Sequence, residues 1–196
     1  MQSNSQITRR NCSTISTGES DVFDFQIRRA AQHDFATIIR FVHAMLSEMY
    51  ALGNRGLSDH TEAWLNFESR ILQSLSCNDN SARTYPCAAD HLLEIAETIG
   101  GEVLPIGLIE ASILHPTPIF RPVQTLHIHA LYVLPAYRRR GVGTALLRAA
   151  IAWGQQHHCL RAELSVLPRN PARRLYQALG FSAFGLEMRK DMTSVS

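Results

Sequence analysis

No run of about 18 apolar residues occurs in this 196-residue sequence, so no membrane-spanning helix is expected. The four cysteines, Cys12, Cys77, Cys87 and Cys159, form no C-x-x-C pair and no zinc-finger spacing with histidine. No metal is therefore expected, and the thiols read as reduced groups in a cytoplasmic protein. Charge of one sign is not in excess. The formal net charge is +2, which argues against nucleic acid as a partner. The opening MQSNSQITRRNCSTISTGES lacks the apolar stretch of a secretory signal and carries only two arginines, few for a transit peptide. Residues 1–22 are expected to be a polar, disordered tail. No internal repeat is visible.

What remains is an ordinary globular composition, 45% hydrophobic and 18% charged, long enough to bury a core without staples. Residues 23–192 read as one domain, followed by a short tail, 193–196. Phe23, Phe25 and Ile27 alternate as in a half-buried strand. Asp34 is placed to cap a helix carrying Ile38, Ile39, Val42 and Met45. A loop is expected over Leu52–His60, a second helix over Thr61–Leu75, and a loop over Ser76–Cys87. Three strands follow, His91–Thr98, Val103–Leu114 and Thr125–Leu134, the first two joined at Gly100-Gly101. From Val142 the period becomes helical through Ala145, Leu146, Ala149 and Trp153. Arg161–Val166 alternates again, Pro171–Leu179 reads as a short helix closed by Gly180, and Phe181–Met192 reads as one or two last strands. The order gives the α/β class, with a mixed sheet flanked by helices.

The densest chemistry lies in LYVLPAYRRRGVGTALL, where a strand ends, a glycine-punctuated turn follows and a helix begins. First-turn N–H groups of a helix lack intrahelical partners and, with the helix dipole, form a site for phosphate. Gly141 and Gly143 let backbone approach an anion closely, and Arg138, Arg139 and Arg140 add positive charge. A tight turn with three solvated arginines is the alternative. A dinucleotide fingerprint is disfavoured because Leu146 stands at the third glycine position, and the G-K-[ST] of a Walker A loop is absent.

Arg138-x-x-Gly141-x-Gly143 resembles the [QR]-x-x-G-x-[GA] signature of the GCN5-related N-acetyltransferase (GNAT) family. Downstream, Ala172-x-x-Leu175-Tyr176-x-x-x-Gly180-Phe181 is similar to the family's second motif. The resemblance covers about Thr125 to Met188. It implies a single domain whose mostly antiparallel sheet splays at an acyl-CoA site, and acetyl-CoA as acyl donor. It implies that Leu131, Tyr132 and Val133 line the pantetheine arm, with the Leu131 N–H near the thioester carbonyl. The amides of Arg139, Arg140, Gly141, Val142, Gly143 and Thr144 would hold the pyrophosphate beside Arg138. Tyr176 matches the family's general acid, a phenol of ordinary pKa near ~10 facing a thiolate. The carboxylate some members carry on the strand before the turn is His127 here, with His129 on the same face; Glu110 on the neighbouring strand is the other candidate base, and the absence of any dedicated protein base is the alternative. The family's asparagine before the second motif is displaced: Arg169 holds its slot, and Asn170 before Pro171 reads first as a helix cap, with cofactor contact second.

The resemblance thus implies transfer of an acetyl group to an amine of a small molecule or a protein, in a monomer or homodimer. A longer acyl group, or a silent acyl-CoA sensor in which Tyr176 is dispensable, are the alternatives. Nothing in the sequence specifies the acceptor.

Overall fold

The computed structural model describes residues 23–53, 67–69, 71, 72, 75, 90–116, 123–186, 188 and 190. The expected N-terminal tail, most of the loop over 52–60, most of the helix over 61–75, the loop over 76–87 and the last residues lie outside them. Strand β1 (Phe25–Arg29) leads through a 3-10 turn (Gln32–Asp34) into helix α1 (Phe35–Ala51). Residues 67–69, 71, 72 and 75 are helical, in the region expected for a second helix. Then come β2 (His91–Thr98), β3 (Pro105–Leu114), β4 (Thr125–Val133), a 3-10 turn (Pro135–Tyr137), α2 (Val142–Gln156), β5 (Arg161–Leu164) and α3 (Arg173–Ala178).

The strands form one five-stranded sheet in the order β1-β2-β3-β4-β5. Pairing is antiparallel from β1 to β4 and parallel between β4 and β5. Alternation along the strands divides the core between two faces. Leu92, Ala96, Ile109 and Leu126 meet Val142, Leu146, Leu147 and Ala150 of α2. Leu93, Ile95, Leu108 and Tyr132 meet Ile38, Phe41 and Val42 of α1. Burying each of the larger aliphatic and Phe side chains among these contributes about 1.5–3 kcal/mol. Close approach of α2 depends on Gly107, where a Cβ would lie 3.0 Å from the Tyr132 carbonyl oxygen and 3.1 Å from Leu146 Cδ1.

The β3–β4 ladder carries a bulge. Glu110 pairs with Ala130 and Ala111 with Ile128, leaving His129 as the extra residue. The bulge reverses which positions of β4 face which helix. Before it, Leu126 and Ile128 join the α2-side core; after it, Tyr132 joins the α1 side while Leu131 and Val133 pack toward α2.

Three expectations need correction. Asp34 does not cap α1 with its side chain. The buried carboxylate instead accepts from Arg28 Nη1 and Nη2 at 2.7 and 2.9 Å and from the Ala31 N–H at 2.8 Å. The cation on β1 is a stronger partner than a helix amide. Helix α3 begins at Arg173 rather than Pro171, because Asn170 Oδ1 accepts the Ala172 N–H at 2.9 Å and makes a preceding turn. The described residues after Gly180 form no strand, and Phe184, Leu186 and Met188 are exposed. Alternating apolar residues make a strand only where a sheet edge takes their hydrogen bonds, and β5 pairs with β4 alone among the described strands. No described helix is long and apolar enough to cross a membrane.

Burial alone would raise the Asp34 pKa, but Arg28 and the Ala31 amide outweigh it and hold the carboxyl below its usual range. A depressed folded-state pKa contributes stability that is complete above the unfolded value near ~4 and is lost as pH falls through the lower folded value. Asp34→Asn should therefore cost about 2–3 kcal/mol at pH 7 by denaturant unfolding, with the difference from the parent shrinking only below about pH 4.

Candidate active site

Strand β4 has two unlike edges. Its β3 edge is paired from Thr125 to Val133, whereas β5 pairs only with Thr125–Ile128. Beyond Ile128 the β5-side edge stands open among the described residues. The Leu134 N–H donates to the Ile106 carbonyl at 2.9 Å, and N–H and C=O of one residue in an antiparallel strand point the same way. Tyr132 therefore turns both backbone groups to β3, and Leu131 and Val133 turn theirs to the open edge. The expected backbone role of Tyr132 is thus corrected. Its ring is buried on the other face against Phe41, centroids 5.6 Å apart. Leu131 and Val133 remain in place.

The open edge runs into the glycine turn. Gly141 is the N-cap of α2 with φ +85°, a left-handed conformation in which an L side chain is strained. Its carbonyl accepts the first helical bond, from Ala145 at 2.9 Å. No side-chain cap covers this end of α2. The first-turn amides of Val142, Gly143 and Thr144 are left with the helix dipole as an anion cradle. A Cβ on Gly143 would touch Leu175 Cδ2 at 3.4 Å, so α3 packs against the same turn.

The three arginines do different things. Arg139 is exposed and, though not glycine, sits at φ +64°. Arg140 lies over the Phe23 ring, 5.3 Å from its centroid. Arg138 turns back from the cradle: Nε donates to the Val133 carbonyl at 2.8 Å, Nη2 meets Glu48 Oε1 at 2.6 Å, and Cζ lies 5.5 Å from the Tyr132 centroid.

On α3, Tyr176 packs half-buried against the α2-side core with Leu131, Val133 and Leu175. Its ring meets Phe181 edge-on at 6.0 Å. Burial pushes the phenol above its ordinary pKa, so it stays protonated at neutral pH and retains a proton to give. Asn170 is engaged by the bond to Ala172 in the turn before α3, whose N-cap is Ala172 rather than Asn170.

The candidate bases share the α1 side of β3 and β4. Glu110 is buried, 3.1 Å from the Nε2 of equally buried His91. Ser112 Oγ and His129 Nε2 are 2.7 Å apart. The His127 and His129 rings meet at 4.7 Å. Glu110 lies opposite Ala130, next to Leu131. His127 lies four residues from Leu131, roughly 13 Å along a strand. Among the described residues no group of His, Cys, Asp and Glu is arranged to hold a metal ion.

Sequence reading missed His91, Ser112 and Glu48. A signal existed for His91, a polar residue sharing a strand face with Leu93 and Ile95. Glu48, 90 positions from Arg138, gave none.

The family model described as Acetyltransferase (GNAT) family matches residues 57–181. An aminoglycoside N(6')-acetyltransferase type 1 of Salmonella typhimurium is 31% identical over a 101-residue alignment that covers 47% of this chain and 64% of that protein; the chain thus spans less than two thirds of that relative's length. The protein of the same name from Acinetobacter haemolyticus is 26% identical over 147 residues, 74% of this chain and 72% of its own. The solved structure of AAC(6')-Iy in complex with the bisubstrate analog CoA-S-monomethyl-acetylneamine superposes with TM-score 0.59 at 22% identity, over 87% of this chain and 99% of that one.

Gly141→Ala should strain the turn by about 1–2 kcal/mol. We expect it to lower the unfolding midpoint and weaken binding of coenzyme A in calorimetry. Binding as tight as in the parent would remove the requirement for the left-handed cap.

Proposed function

The chain belongs to the GNAT acetyltransferase family, and on that premise we propose that it transfers the acetyl group of acetyl-CoA to an amine of a small molecule, with the 6'-amine of an aminoglycoside as the first acceptor class to test. The observation that carries the reading is the open β4 edge running into the uncapped N-terminus of α2, with Tyr176 packed against the same α2-side core. An extended amide-bearing arm is the ligand that pairs with such an edge, and a diphosphate is the one that fits such a helix end. The aminoglycoside acceptor is supported by the names of the relatives.

In this proposal the Leu131 N–H meets the thioester oxygen and stabilises its charge as the amine attacks the carbonyl carbon, an effect worth about 3 kcal/mol for one donor. Tyr176 gives its proton to the sulfur as the carbon–sulfur bond breaks. Glu110 takes the amine's proton, directly or through one water, and His91 Nε2 holds its carboxylate. Glu110 is preferred to His127 because of its position beside Leu131 in the register.

The test is a panel of amines, aminoglycosides among them, with acetyl-CoA and detection of released thiol. Acetylation of at least one 6'-amine is expected. Thiol release with other amines only would keep the transferase and discard this acceptor, and none with any amine would favour a silent acyl-CoA binder. With the best substrate, Tyr176→Phe should lower kcat by roughly 10²-fold; an unchanged kcat removes its role as acid. Glu110→Gln should lower kcat by a comparable factor, while His127→Ala stays within about twofold of the parent. The reverse order would transfer the base to His127.

A further inference from the structure

Arg138 opens the turn whose sequence resembles a coenzyme A signature, yet its guanidinium does not point into the anion cradle. Its contacts are to β4 and α1. Nε satisfies the Val133 carbonyl at 2.8 Å, Nη2 pairs with Glu48 in the last turns of α1 at 2.6 Å, and the plane covers Tyr132. The Val133 carbonyl is one of the groups that β4 turns to its open edge. With Arg138 seated on it, the edge left to a ligand consists of the Leu131 N–H and C=O and the Val133 N–H.

Resting on the acetyl-CoA reading above, we propose that Arg138 is a positioning residue rather than a phosphate ligand: a strut, held by Glu48, that ends the open edge of β4 at Val133 and ties the cofactor turn to the C-terminal end of α1. The fork geometry of arginine suits this task, because one planar group donates in two directions to a carbonyl and a carboxylate. The link also joins two layers. Helix α1 covers one face of the sheet and the turn leads into α2 on the other, so Glu48 and Arg138 bridge the ends of both. Arg139 and the α2 amides remain to face the phosphates.

The two roles for Arg138 predict opposite signs for one substitution. Glu48 is partly exposed, and its removal should leave the fold intact. If Arg138 were a phosphate ligand, Glu48 would compete with the diphosphate, and Glu48→Ala would tighten binding. If Arg138 is a strut, Glu48→Ala loosens the turn and weakens binding. We expect roughly threefold weaker acetyl-CoA in calorimetry, partial recovery in Glu48→Gln, which keeps an acceptor oxygen, and an unfolding midpoint close to the parent's. In the unliganded protein, amide exchange of residues 139–144 should be faster in Glu48→Ala. Affinity that is unchanged or tighter, or exchange that is unchanged, overturns the proposal. A parent that binds no acetyl-CoA sinks the reading beneath it instead, and the exchange measurement still decides whether Glu48 holds the turn.

Discussion

Strand β4 makes hydrogen bonds to β3 along its whole length and to β5 over its first four residues only. Everything of chemical interest follows from that asymmetry. A strand edge inside a folded domain is ordinarily paired, because unsatisfied backbone groups are costly away from water. Here the edge at Leu131 and Val133 opens beside a helix end that is itself uncapped. Two sets of unsatisfied donors converge on one line, the first suited to amides and the second to an anion. The fold supports this arrangement by packing both faces of the sheet.

The bulge at His129 is the second element of the design. Without it, alternation would send Leu131 and Val133 to the face opposite that of Leu126 and Ile128. With it, all four pack toward α2, and Tyr132 swings to α1. The bulge also sets His129 beside Ser112 and leaves Glu110 opposite Ala130. One extra residue thus arranges both the open edge and the polar group behind it. The His91–Glu110 pair is buried on that same side. A buried carboxylate is costly unless paired, and it serves as a proton acceptor only where a substrate reaches it.

Much of this was legible in the residues. The strand-like run His91–Thr98 and the helical period from Val142 gave elements whose bounds match the structure closely. Gly141 was legible as a turn residue before a helix, whereas Asn170-Pro171, read as the start of the last helix, makes the turn that precedes it. The misreadings share a cause. Asp34 looks like a cap because local sequence shows its helix and hides Arg28 as a competitor across the turn. Phe181–Met192 looks like strand because alternation reports a face and says nothing of an available edge. The Arg138–Glu48 contact was hidden for the same reason, because Glu48 is distant along the chain.

The sequence by itself determined the family, the order of elements and the glycine turn that opens α2. Each of these rests on short-range physics: period, backbone freedom at glycine, and unpaired amides at a helix start. Only the tertiary structure decided which β4 groups face the open edge, which carboxylate lies beside Leu131, and where the Arg138 guanidinium goes. These depend on a bulge set by β3 and on partners far away in the chain, and no local pattern encodes the choice among competing partners for one charged group.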